Sequence, residues 1–183
     1  MEFCIPWQNW NIEDIHYGLH QVNTRIESGL FVPIYYTNQT IRCQAFHVLT
    51  PALEIRGTEY GANGVYLKIH VEQESDFAKA LLAFDDRNLT HATGNKNLWW
   101  PQKKGLQYQT AIKQLPSGDI EWRVQIPETG IFTCFDTKRK CWYASNESNL
   151  ENRKWKIVAR TSGLWIDANS FGMEWKLIGA FVI

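Results

Sequence analysis

His16 and His20 stand four residues apart, the spacing at which one face of a helix offers two imidazoles to a metal ion. No HExxH frame surrounds them, and no further ligand sits at metal-site spacing, so no metal is expected. Asp85-Asp86 reads as the solvated end of a helix rather than an acidic metal pair. Cys134 and Cys141 have no neighbouring histidine to act as a base, and read as small apolar residues. GxSxG, the P-loop and GxGxxG are all missing. These residues point away from catalysis: no enzyme activity and no cofactor are expected.

Binding chemistry is better represented. Residues 96–113 carry Lys96, Lys103, Lys104 and Lys113 with no acid, interleaved with Trp99, Trp100 and Tyr108. Residues 138–160 carry Lys138, Arg139, Lys140, Arg153, Lys154, Lys156 and Arg160 against only Glu147 and Glu151, with Trp142, Tyr143 and Trp155 among them. A single nucleic-acid strand is held by these two kinds of side chain. Cations follow the phosphates, and flat rings stack on unpaired bases, each stacked base contributing about 1–3 kcal/mol. The expected stacking residues are Trp99, Trp100, Tyr108, Trp142 and Tyr143. The expected phosphate ligands are Lys103, Lys104, Lys138, Arg139, Lys140, Arg153 and Lys154. Trp122, Trp155 and Trp175 fit inward-facing strand positions and are assigned to the core.

The 183 residues are enough for one domain with its own core. Nineteen basic and nineteen acidic side chains cancel, which excludes a uniformly basic chromatin-type protein. The cancellation conceals an asymmetry: residues 1–95 hold six Lys/Arg against eleven Asp/Glu, and residues 96–183 hold thirteen against eight. Every apolar run is broken by charges or turn residues before about 18 positions, so no helical membrane span is expected. No secretory signal is visible at the start, and the four cysteines form no CxxC. An intracellular protein with free, mostly buried thiols is the expectation.

The elements that must position these side chains are mostly short strands. Val65, Leu67, Ile69 and Val71 alternate with polar residues, as do Ile120, Trp122, Val124 and Ile126. Phe77, Ala80, Leu81 and Phe84 recur at helical spacing after Ser75, which predicts one helix over about 75–89. Residues 92–106 read as a loop. Phe171, Met173, Trp175 and Leu177 share one face, continuing to Phe181 and Ile183. Many short strands and one packed helix predict a mainly β, OB-like antiparallel barrel. Residues 1–183 then form a single OB-like domain, with 1–28 as an N-terminal extension.

The order of motifs also resembles a family. Gly29-Leu-Phe-Val-Pro-Ile-Tyr-Tyr36 is followed by Thr50-Pro51, Tyr60-Gly61, Val65-Tyr66-Leu67 and the helix with Phe77, Leu81 and Asp85. Near the end stand Ser162-Gly-Leu-Trp-Ile166 and Phe171-Gly-Met-Glu-Trp-Lys-Leu177. This looks like the single-stranded DNA-binding proteins of nucleocytoplasmic large DNA viruses and polinton-like elements, distant relatives of a phage replication protein. The resemblance covers roughly residues 28–183. It implies an OB fold, no enzymatic activity, and coating of single strands in replication, recombination or repair. It also implies replication proteins as partners and architectural roles for Pro33, Pro51, Gly61, Gly163 and Gly172. The phage relatives end in an acidic tail, whereas this sequence ends Gly179-Ala-Phe-Val-Ile183. A different class remains open from the residues alone: a β-sandwich structural or carbohydrate-recognition protein, since Trp, Tyr and Asn in loops also suit sugar faces. Homo-oligomerisation and the choice between DNA and RNA are not fixed by the residues.

Overall fold

The computed structural model describes residues 4–24, 29–61, 63–146 and 154–183. The first half supplies β1 (Cys4–Pro6), β2 (Ile15–Tyr17), β3 (Gln21–Asn23), β4 (Gly29–Thr37), β5 (Arg42–Gln44), β6 (Phe46–Leu49), β7 (Leu53–Gly61) and β8 (Gly64–Val71). Two helices follow, α1 (Asp76–Gly94) and α2 (Lys96–Trp99). The second half supplies β9 (Gln107–Gln109), β10 (Ile112–Gln114), β11 (Ile120–Gln125), β12 (Phe132–Asp136), β13 (Cys141–Ser145), β14 (Lys154–Thr161), β15 (Gly163–Ile166), β16 (Ser170–Met173) and β17 (Lys176–Val182).

Five of these strands close a barrel in the order β7-β8-β11-β17-β14 and back to β7. All its pairings are antiparallel except β11 with β17. The chain is therefore mainly β with an OB-like barrel and one long helix, as the strand pattern predicts. Alternation does the sorting. Leu67, Ile69, Val71, Ile120, Trp122, Trp155 and Ile157 are buried, while their neighbours in sequence are more exposed. A second sheet, β2-β4-β15-β16-β9, adds β3 and β5 along β4.

Ser75 caps α1, its Oγ accepting the Ala78 amide at 3.1 Å, with Asp76 in the first turn. Phe77, Leu81 and Phe84 are buried on one face of the helix. Phe77 meets Trp122 edge-on at 5.7 Å and Phe84 meets Trp175 at 5.6 Å, which locks the helix to the barrel. The helix runs past the expected end near 89 to Gly94, and α2 follows where a loop is expected. Among the described residues, no helix is long and apolar enough to cross a membrane.

The N-terminal stretch is not an appendage. β1 pairs in parallel with β6, and Ile5, Trp10 and Ile15 are all in the core. Ile15–Tyr17 is a strand, so no helix brings His16 and His20 onto one face. Pro33, which suggests an edge or a bulge, sits inside β4 where the partners change. β4 pairs with β3 and β15 up to Pro33, and with β2 and β5 beyond it. Gly163 and Gly172 admit no side chain. A Cβ at Gly163 would strike the Val32 carbonyl oxygen, and one at Gly172 would lie 2.5 Å from that of Gln109.

Candidate nucleic-acid interface

β12 and β13 form a hairpin, and β12 joins the barrel by pairing in parallel with β17. The sheet thus continues without a break from β13 through β12 and β17 to β14. Register carries one row across all four strands. Trp142 faces Phe135, Phe135 faces Phe181, and Phe181 faces Lys156. At about 4.8 Å per strand this row spans roughly 14 Å. The residues beside it in sequence, Cys134, Ala180 and Ile157, are buried, so the row lies on the outer surface.

The three rings touch one another. Phe135 and Trp142 have centroids 4.9 Å apart, Phe135 and Phe181 6.1 Å, and Trp142 and Phe181 5.9 Å. Trp142 is 62% exposed, the most open of the nine tryptophans. An isolated exposed ring is ordinary, whereas three contiguous rings on an outer sheet face form an apolar patch of the kind that can serve as an interaction surface. The adjoining row is small: Ala144, Thr133, Gly179 and Val158 are register partners across the same strands. One flank of the rings is therefore unobstructed.

The other flank is cationic. The hairpin turn presents Lys138, Arg139 and Lys140, all exposed. Asp136 builds this turn, its Oδ1 accepting both the Lys138 and Arg139 amides at 2.9 Å. The Arg139 amide, with lesser help from Lys138, holds the Asp136 carboxyl below the usual carboxylate range. Thr137 Oγ1 donates to the Val182 carbonyl at 2.6 Å, tying the turn to the end of β17 beside Phe181. Lys154 and Lys156 face outward from β14.

The structure brings together part of the expected set and disperses the rest. Trp142, Lys138, Arg139, Lys140 and Lys154 converge on this face. Tyr143 does not, because its register partner is buried Cys134 and its ring packs toward the core. The expectation of Tyr143 as a stacking residue is corrected by strand alternation. Arg153 lies outside the described residues. Trp99 and Trp100 are corrected as well, being only 3% and 5% exposed. The extension of α1 and the turn of α2 fold them inward, Trp99 against Tyr17 at 5.8 Å and Trp100 against Phe171 at 5.1 Å.

Tyr108 is half-buried on Phe171, and its hydroxyl donates to Asp85 Oδ1 at 2.7 Å. Burial, then the nearby Asp85 charge, pushes this phenol far above its ordinary range. Tyr108 is a structural ring, not an open stacking platform. Asp85 is correspondingly not a solvated helix end. Lys103 donates to the Asp167 carbonyl at 2.6 Å and, with exposed Lys104, belongs to the segment before β9 rather than to the aromatic face. The cysteines are free, but only Cys134 is buried, and Cys141 is exposed on β13.

Phe135, Phe181 and Lys156 complete the site and lie outside the set expected from the sequence. A bulge conceals Phe181. Val158 pairs with Gly179 while Ala159 pairs with Leu177, so Ile178 is an extra residue. That insertion reverses parity, and Phe181 emerges on the face opposite Leu177.

A second concave surface, a cleft of about 290 Å³, is lined by Asn63, Tyr66, Gln109, Arg123, Trp165 and Glu174, among others. Arg123 lies 4.7 Å over the Tyr66 ring and 3.6 Å from Glu59, and Lys176 lies 3.1 Å from Glu174. Arg123, the cation among its lining residues, is answered by Glu59, and Asp167 and Glu174 line the cleft too, so it has no positive surplus for a polyanion. Among the described residues no group of three or more metal-ligating side chains occurs. The chain matches no protein-family model and no curated protein.

Proposed function

We propose that this chain is a non-catalytic, sequence-tolerant single-stranded DNA-binding protein. Its role would be to hold single strands during replication, recombination or repair of the kind carried out by large DNA viruses, and replication proteins would be its partners. The reading rests on one observation: three mutually touching rings on an outer sheet face, beside Lys138, Arg139, Lys140, Lys154 and Lys156. Rings give each unpaired base a surface to stack on, and the cations track its phosphates. A duplex keeps its bases stacked on one another and is attracted by the charges alone.

Tryptophan fluorescence titrated with oligo-dT at two salt concentrations tests this, with duplex DNA of equal length as the control. Trp142 is the open indole, so its quenching reports contact with the strip. Quenching by the single strand that weakens with salt is expected. Binding without quenching, or equal quenching by duplex, would overturn the reading.

A second reading rests on the cleft. Tyr66 and Trp165 with Asn63 and Gln109 offer ring faces and neutral polar groups, which suit an uncharged polyol such as a carbohydrate. Retention on a glycan column that is indifferent to salt, with no retention on single-stranded DNA, would favour it.

A further inference from the structure

The aromatic row does not stop at Lys156. On the side of β14 away from β17, Leu49 pairs with Val158, and the Thr50 amide donates to the Ile157 carbonyl at 3.0 Å. The β6–β7 link therefore runs directly alongside Lys156. Between this link and the N-terminal turn lies a cavity of about 290 Å³, lined by Trp7, Gln8, Leu49, Thr50, Pro51, Ala52 and Lys156. Lys156 is common to both features: it is the register partner of Phe181 and a wall of the cavity.

We propose that this cavity is a nucleobase pocket, taking one unpaired base of the strand whose neighbours stack on Phe181, Phe135 and Trp142. The proposal rests on the aromatic strip being the nucleic-acid surface. Its size fits: about 290 Å³ is at the lower end of the range of small-ligand pockets, room for one flat ring system and not for a base pair. Its walls fit as well. Trp7 is held edge-on against Phe77, centroids 6.0 Å apart at 76°. Thr50 Oγ1 accepts the Ile157 amide at 2.9 Å and donates to the Pro51 carbonyl at 2.8 Å, which fixes the floor. Indole, proline and leucine supply apolar surface for the ring, and Gln8 supplies an amide for a base edge.

Lys156 stands between the pocket and Phe181. Among the described residues no carboxylate engages it, so its ammonium is available to the phosphate joining a base on Phe181 to a base in the pocket. A pocket that takes one base requires a strand free of pairing, and it gives the strip a defined end.

Abasic substitution along the DNA tests the pocket without altering the protein. A short labelled oligo-dT carrying a single abasic site at successive positions is titrated into the native chain, with anisotropy of the label as the affinity readout and tryptophan fluorescence followed alongside. The expected result is a loss of about five- to 150-fold at the position that reaches the pocket, the value of one stacked base. Ala52→Phe, at an exposed position on the pocket rim, should abolish that position-dependence while Trp142 is still quenched. If abasic position makes no difference beyond the bases that quench Trp142, and Ala52→Phe binds as the native chain does, the pocket proposal fails and the strip stands. If oligo-dT neither binds nor quenches Trp142, both fail together.

Discussion

Trp142 and Phe135 face each other across the β12–β13 hairpin with ring centroids 4.9 Å apart, and both stand on the side of the sheet turned away from the core. Because Trp142 is 62% exposed, its truncation removes little packing. Trp142→Ala should change folding stability by no more than about 0.5 kcal/mol. It should weaken single-strand binding by the value of one stacked base, about 1–3 kcal/mol. Trp142→Phe should retain most of the affinity but lose the part of the fluorescence change that Trp142 contributes. Titration by anisotropy, which does not depend on the indole, separates the two effects. Equal affinity for all three proteins would remove Trp142 from the interface.

The turn at 138–140 is built mainly from the main chain: Asp136 Oδ1 accepts the Lys138 and Arg139 amides, and the only side chain of the three that reaches its carboxylate is exposed Arg139, whose Nε lies 3.8 Å from Oδ2. Replacing Lys138, Arg139 and Lys140 together by Gln should therefore leave the hairpin intact. For a single strand, each phosphate that is no longer neutralised makes the slope of log affinity against log salt shallower by about 0.7. A triple variant that leaves three phosphates unneutralised should show a slope shallower by about 2. An unchanged slope would mean that these cations do not touch phosphate.

Trp99 and Trp100 make the opposite prediction. Both are buried, packed against Tyr17 and Phe171, and neither offers a free face. Trp99→Ala and Trp100→Ala should each cost about 3–5 kcal/mol of stability, read as a lower urea midpoint. At temperatures where the variants remain folded, their DNA affinity should match the native value. A loss of affinity at native stability would return these rings to the interface.

Asp85 makes stability depend on pH. Its carboxylate accepts Tyr108 Oη at 2.7 Å and Thr110 Oγ1 at 2.9 Å, yet burial dominates and raises its pKa above the usual carboxylate value. In the window between the unfolded pKa, about 3.9, and the raised folded one, the native state binds more protons than the unfolded state. The contribution of Asp85 to stability is therefore fully present below the unfolded pKa and is lost as pH rises through the folded pKa. Relative to Asp85→Asn, the native chain should be more stable at pH 4 than at pH 7, measured as the difference in urea midpoints. Asp119 and Asp136, whose carboxyls are held low by hydrogen bonds from His70 and from the Arg139 amide, act in the opposite direction. Both are present in either protein and cancel in the difference. A gap that is constant with pH, or wider at pH 7, would contradict this account.

Local signals carry the parts of the fold that depend on neighbours in sequence. Ser75 with Phe77, Leu81 and Phe84 specifies α1, and alternation around Trp122 and Trp155 puts those indoles inside. Trp99 and Trp100 read wrongly from sequence because polar residues surround them there, while their apolar partners, Tyr17 and Phe171, come from distant strands. Trp142 and Tyr143 are adjacent and differ only in parity, which the register with Cys134 decides. Phe181 requires knowledge of the bulge at Ile178, a feature of pairing between β14 and β17 that no single strand reveals.

β17 pairs with β11 and β14 to shut the barrel, with β12 to hold the hairpin, and it carries Phe181. It is also the last of the described strands, and a ribosome delivers residues in order at about 5–20 per second. A nascent chain that has emerged only as far as β14 has neither a closed barrel nor an aromatic row. Both arrive in the same event, so an incompletely synthesised chain has no assembled aromatic strip.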